Sequence, residues 1–208
     1  MNRILFVLAL AVLAACGAPP AQSQPAAKAA PPAGAVQEAV FAGGCFWCAE
    51  HDFQAIPGVR EVLSGYTGGT LANPTHQDVI TETTGHYEAV RVRFDSGRIT
   101  YRQLVDRYWR LIDPTDAGGQ FCDRGPSYKS AIFVTPAQRA DAVASKAALS
   151  ASNRLTKPVV TEVLPLGRFY PAEDYHRDYA KKNALRYNAY RTGCGRDATL
   201  RQVWKNAR

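Results

Sequence analysis

The stretch Gly43-Gly44-Cys45-Phe46-Trp47-Cys48-Ala49-Glu50, entered from the short apolar segment Ala39 to Ala42, leaves this chain few ways to fold. An apolar run that stops at a glycine pair and resumes with aromatic and helix-compatible residues reads as a strand, a sharp turn and a helix, predicted from Cys45 to about Ala55. Cys45 then stands at a helix N-terminus. Unpaired backbone N–H groups and the positive end of the helix dipole favour a thiolate there and lower the thiol pKa from about 8.5. Two large aromatics follow at once, and a second thiol, Cys48, comes one helical turn later.

The remaining pattern supplies a frame for that turn. Pro57-Gly58 precedes a predicted strand from Val59 to Gly65 and a glycine-rich loop, Gly65-Tyr66-Thr67-Gly68-Gly69. From Tyr87 to Phe94 the chain alternates, with Val90, Val92 and Phe94 on one face and Ala89, Arg91 and Arg93 on the other, as in a half-buried strand. Thr100 is a candidate cap for a helix whose apolar residues Leu104, Val105, Tyr108, Leu111 and Ile112 recur at helical spacing until Asp113-Pro114. Ser130 to Val134 reads as a strand, Ala137 to Ser150 as a helix and Val159 to Leu164 as another strand. The order is βαββαβ with an added αβ unit. It predicts an α+β fold, a two-layer α/β sandwich on a ferredoxin-like (split βαβ) core, ending in an irregular C-terminal tail.

Ahead of this domain, Arg3 and the apolar run Ile4 to Ala15 read as a secretion signal, too short to span a bilayer. Leu13-Ala14-Ala15-Cys16 resembles the lipobox of bacterial lipoproteins, which makes Cys16 a lipidation site; the plain alternative is an ordinary signal peptide with Cys16 incidental. Residues 16–37, rich in Ala, Pro, Gln and Ser, lack the apolar content to fold and read as a tether, leaving 38–208 as the folded domain. The formal charge of +7 is scattered among apolar positions, so a nucleic-acid partner is not expected. Export implies an oxidising compartment, where the four cysteines after Cys16 would ordinarily form two structural disulfides.

The pieces Gly44-Cys45-Phe46-Trp47, Ser64 to Gly69, Asn73-Pro74-Thr75, Gly85 to Val90, Asp113-Pro114-Thr115 and Asp123 to Ile132 together resemble the A-type peptide methionine sulfoxide reductases, over most of Ala39 to Asn183. The chain departs from a common form of that pattern at Cys48, where glycine is usual, and at His76, where tyrosine is frequent. The resemblance implies Cys45 as the nucleophile and Glu88 as the proton donor. It implies that the phenols of Tyr66 and Tyr128 hold the sulfoxide oxygen, that Phe46 and Trp47 grip the S-methyl group, and that Asp123 helps to organise the site. From the residues alone, Glu88 is as readily a strand-end carboxylate bent into solvent, and Asp123 a surface aspartate beside Arg124-Gly125.

Attack on a sulfoxide needs a thiolate and an acid together, because the oxygen leaves poorly as an anion. The glutamic acid must then stay protonated near neutral pH, which an apolar site favours. The sulfenic acid left on Cys45 condenses with a nearby thiol. Cys48 is the expected first partner, Cys194 in its glycine-flanked tail the next candidate, and Cys122 the third, with an inert buried thiol as its alternative. An external, thioredoxin-like thiol reductant would close the cycle without a bound cofactor, acting on a monomer that repairs oxidised proteins and methionine sulfoxide at the cell envelope, facing the periplasm. No metal is implied: Cys45-x-x-Cys48 lacks a second ligand pair at zinc spacing, and His51, His76, His86 and His176 have no assigned role. A thioredoxin-like dithiol exchanger is the competing enzyme reading and a lipid-anchored binding module the non-enzymatic one; neither needs Tyr66, Glu88 and Tyr128 together.

Overall fold

A computed structural model describes residues 34–205, so the predicted signal, Cys16 and most of the tether lie outside the described residues. Strand β1 (Val36–Gly43) leads into α1 (Phe46–Gln54), then β2 (Val59–Thr67), the single turn α2 (His76–Val79), β3 (Tyr87–Asp95) and α3 (Tyr101–Trp109). A short hairpin of β4 (Gly119–Gln120) and β5 (Asp123–Arg124) precedes β6 (Ser130–Val134), α4 (Arg139–Ala151), β7 (Glu162–Pro165) and β8 (Tyr170–Pro171). Three helices follow, α5 (Tyr179–Lys182), α6 (Ala184–Gly193) and α7 (Arg196–Val203).

The main sheet runs β7-β6-β1-β3-β2-β8, antiparallel throughout except for the parallel pair β6–β7. Its inner four strands, β6-β1-β3-β2, have the split βαβ order that the sequence predicts, and α4 carries the chain across to add β7 at the edge. Alternation decides which side is packed. Ala39 and Phe41 of β1 and Val90, Val92 and Phe94 of β3 face the helices, where Phe41 stacks on Phe53 of α1 and Tyr108 of α3 at 4.9 Å each. Each such aromatic, taken from water, contributes about 2–3 kcal/mol. On the other face Val40, Ala42, Ala89, Ala131 and Phe133 lie beneath Leu164, Leu166 and Phe169, which is why Ala89 is buried on the side that also bears Arg91 and Arg93.

Beyond shifts of a few residues at the ends of β2, α4 and β7, two segments depart from the sequence reading. Strand β1 begins inside the expected tether, because Val36 and Gln37 pair with Asp95 and Phe94 of β3. The C-terminal tail is helical where an irregular segment was expected. Its helices are fixed by long-range contacts that no local pattern encodes: the Trp204 indole donates to the carbonyl of Ile112 at 3.2 Å, and Arg196, 2% exposed, donates to the carbonyls of Leu111 and Gly43. Among the described residues no helix is long and apolar enough to cross a membrane.

Candidate active site

The turn into α1 is possible because Gly44 adopts φ +78°, and a Cβ there would meet Gln120 at 2.7 Å. The chain therefore reverses tightly under the β4–β5 hairpin and delivers Cys45 as the N-cap of α1, its carbonyl accepting the N–H groups of Cys48 and Ala49. Cys45 and Cys48 are both free thiols, 7% and 2% exposed. Burial reverses the sequence expectation for Cys45. Desolvation raises its thiol well above the usual range, reinforced by its hydrogen bond to Cys48 and the charge of Glu88, with the Tyr190 hydroxyl pulling the other way. Cys48 moves down, chiefly because the Cys45 thiol donates to it, with help from Arg196 and Tyr187. The pair is thus biased toward a proton on Cys45, with the Cys48 thiol the more readily ionised of the two.

Glu88 lies on β3 in register with Tyr66 of β2, on the face turned toward α1, and is 2% exposed. Its Oε2 accepts the Phe46 N–H at 2.9 Å, one residue from Cys45, and its Oε1 is 3.3 Å from His76 Nε2. Burial raises the carboxyl pKa, against the opposing pull of His76 and the Phe46 amide. Tyr128, from the helical turn Pro126–Tyr128, faces Glu88, Asp123 and Cys45; burial first, then those three charges, push its phenol up. Tyr66 is buried on β2, packed on Phe46 at 5.7 Å between ring centres and paired with Glu88 across the sheet. Its hydroxyl donates to Glu173 Oε2 at 2.9 Å, and Glu173 Oε1 in turn accepts the His76 backbone N–H at 2.9 Å.

The two aromatics divide. Phe46, 1% exposed, packs between Tyr66 and His176, while the half-buried Trp47 lies flat on Tyr179 at 3.7 Å and donates its indole N–H to His176 Nδ1 at 2.9 Å. Opposite them stands Asp123. It accepts the Cys45 backbone N–H and the Tyr190 hydroxyl, the latter at 2.6 Å, so the surface-aspartate alternative fails; burial raises its pKa.

Cys122 and Cys194 form a disulfide between the hairpin and the end of α6, with Cα atoms 5.0 Å apart. Cys122 is exposed and bonded, which corrects its reading as a buried inert thiol, and Cys194 is no free tail thiol in this state. The two sulfurs lie within 4.8 Å of a carboxylate oxygen of Asp123, but a bonded pair offers a metal no thiolate.

The structure brings together the predicted Cys45, Cys48, Phe46, Trp47, Glu88, Tyr66, Tyr128 and Asp123, while Cys16 lies outside the described residues. Sequence reasoning missed Tyr190, Glu173, His76 and His176, together with the clamp behind the thiols. In that clamp Asp52 of α1 takes Arg191 of α6 at 2.8 Å and Arg196 at 3.3 Å. The spacing of Tyr187, Tyr190 and Arg191 along one helix face was the available signal, masked by the flanking glycines at 193 and 195.

The sequence profile described as peptide methionine sulfoxide reductase matches residues 37–208. A Caulobacter vibrioides peptide methionine sulfoxide reductase, MsrA 2, is 60% identical over 97% of this chain and 96% of its own length. A Listeria innocua peptide methionine sulfoxide reductase, MsrA, is 50% identical over 82% of this chain and 97% of its own. Among solved structures, methionine sulfoxide reductase A of Corynebacterium diphtheriae superposes with a TM-score of 0.64 at 32% identity, covering 72% of this chain and 76% of that one. The reduced form of Mxr1 from Saccharomyces cerevisiae gives a TM-score of 0.67 at 26% identity, covering 72% and 86%. A competing dithiol exchanger would leave the buried Glu88 and Tyr128 beside Cys45 without a use. By matched profile, near full-length relatives and shared fold, the chain belongs to the peptide methionine sulfoxide reductase family and reduces methionine sulfoxide to methionine.

Proposed function

We propose that Cys45 and Glu88 carry the oxygen transfer, with the S epimer at sulfur as substrate, and that Cys48 resolves the product. The observation that carries this reading is the juxtaposition of a buried nucleophile with a buried carboxyl, joined through the Phe46 N–H next to Cys45. As substrate enters, the Cys45 proton passes to Cys48, its hydrogen-bond partner, and Cys45 Sγ attacks the sulfoxide sulfur. Glu88, whose charged form burial disfavours, gives its proton to the oxygen. The sulfur–oxygen bond breaks, methionine leaves reduced by two electrons, and Cys45 is left as the sulfenic acid. Tyr128 faces the same space and orients the oxygen, while Phe46 and Trp47 line the side for the methyl group.

Cys48 then attacks the sulfenic sulfur, giving the Cys45–Cys48 disulfide and water. An external dithiol of thioredoxin type returns two electrons by way of the Cys122–Cys194 pair, entered at the exposed Cys122, and the reduced thiols of that pair exchange with the buried disulfide. Leu13-Ala14-Ala15-Cys16 supports placement of the monomer on a lipid anchor at the periplasmic face of the envelope, acting on oxidised proteins and free methionine sulfoxide. The test is the Glu88→Gln variant assayed for methionine formed in a single turnover with excess reduced enzyme. Loss of the acid should slow the step about a hundredfold without weakening substrate binding. A single-turnover rate equal to wild type removes Glu88 from the mechanism.

A further inference from the structure

A buried acid must be supplied with its proton, and Glu88 is only 2% exposed. Its second oxygen has a titratable neighbour that is more open to solvent. His76 Nε2 stands 3.3 Å from Glu88 Oε1, and its side chain is 28% exposed against 3% for Glu88, so the imidazole touches the carboxyl at one end and solvent at the other. Its position is set from three directions. The Glu173 carboxylate accepts the His76 backbone N–H, the Tyr66 hydroxyl holds Glu173, and Phe46 of α1 stacks on the imidazole at 6.1 Å between ring centres. Thr75 and Asp78 cap the turn that carries it.

From this geometry we infer that His76 is the positioning and proton-supply residue of the acid: it holds Glu88 Oε1 and passes protons between solvent and the carboxyl. The inference rests on the reading of Glu88 as proton donor. The groups facing His76 are Glu88 from β3, Glu173 and His176 from the segment after β8, and Asp78 on its own turn, whose carboxylate is occupied by Thr75. His176 is removed from proton traffic: burial, then the charge of His76, brings it down to about 4, and its Nδ1 is already taken by the Trp47 indole. Glu173 is held as an acceptor by two donors. His76 is pushed the opposite way, its cation favoured by the hydrogen bond to Glu88.

The proton balance closes. When the Glu88 proton goes to the sulfoxide oxygen, the carboxylate left behind favours the His76 cation, so the ring takes up one proton from solvent and gives its Nε2 proton to Oε1. Reduction of the Cys45–Cys48 disulfide by the external dithiol later returns one proton to solvent, as the Cys48 thiol ionises again. Over the cycle the sulfoxide oxygen leaves as water with the two hydrogens of that dithiol.

The test measures single-turnover methionine formation, which isolates oxygen transfer from recycling, for wild type, His76→Gln and Glu88→Gln at several imidazole concentrations near pH 7. Glutamine keeps a side-chain N–H donor for Glu88 and cannot relay. His76→Gln should slow the step on the order of tenfold, less than loss of the acid itself, with methionine sulfoxide affinity unchanged and the rate rising with imidazole while wild type stays flat. A His76→Gln variant that keeps the wild-type rate overturns the inference. So does one that is slowed but indifferent to imidazole, which would mark His76 as packing only. Glu88→Gln separates the two readings: if it reacts at the wild-type rate the acid assignment itself fails, whereas if it is slow and His76→Gln is not, only the role of His76 fails.

Discussion

The two cysteine pairs of the domain are built on opposite principles. Cys45 and Cys48 sit one turn apart on α1, buried and reduced, with each sulfur tuning the other. Cys122 and Cys194 come from positions 72 residues apart, join a surface hairpin to the C-terminal helices, and are oxidised with Cys122 exposed. The first pair owes its proximity to local helix geometry and its chemistry to exclusion of water. The second owes its proximity wholly to tertiary structure and remains open to a partner. In the proposed mechanism the difference separates oxygen transfer, which needs a dry site, from thiol exchange, which needs access. Asp123 lies between them, taking the Cys45 N–H on one side with the Cys194 sulfur 3.9 Å away on the other.

The comparison is broken most sharply at the nucleophile. Cys45→Ser should abolish methionine formation, single turnover included, and leave the Cys122–Cys194 disulfide intact by peptide mass mapping; residual turnover near wild type would show that the surface pair does the chemistry. Next in size is the stabilising role of the surface pair. Closing a loop of this length is worth about 4 kcal/mol by chain entropy, so the Cys122→Ser/Cys194→Ser double variant should unfold at markedly lower denaturant. Its single-turnover rate should not change.

The buried side is sharpened by Glu50, on the same helix as the thiols, 2% exposed and accepting the Asp178 N–H at 2.9 Å. Burial, then the nearby charge of Asp178, raises its carboxyl to about 7. The folded state therefore holds this proton more tightly than the unfolded chain, so Glu50 makes stability fall as pH rises from about 4.5 to about 7 and adds no slope beyond that. Glu50→Gln should flatten that segment of the stability–pH curve and raise stability at pH 8 by up to about 3 kcal/mol; denaturant titrations at pH 5 and 8 measure it, and an unchanged slope removes Glu50 as its source. The smallest effect is at Cys48. Cys48→Ser should leave one methionine per enzyme in the first turnover and lower steady-state turnover with a dithiol on the order of tenfold, because the sulfenic acid must await an external thiol. Steady-state turnover at the wild-type rate would make Cys48 a packing residue.

Legibility followed the range of the interaction. The period-two pattern in residues 87–94 put Glu88 on the same face as Val90, Val92 and Phe94, and the structure buries it there. The cap predicted at Thr100 forms, and Gln103 completes it as a capping box. By contrast, the Glu173 carboxylate that takes the Tyr66 hydroxyl comes more than a hundred residues later, where no local pattern pairs the two.

The sequence by itself determined the strand, glycine turn and helix that present Cys45, the split βαβ order of the sheet, and the set of residue types that sulfoxide chemistry requires. Backbone periodicity, glycine conformations and helix spacing are local, so they are written in consecutive residues. Only the tertiary structure decided that Cys194 bonds Cys122, that His76 meets Glu88, that Arg191 and Arg196 close on Asp52, and that the Cys45 thiol rests protonated. Those outcomes depend on distance through space and on the loss of water around a charge. A thiol at a helix N-terminus has a lowered pKa only while solvent or a cation supports its anion; buried beside a carboxyl, the same thiol holds its proton until substrate arrives.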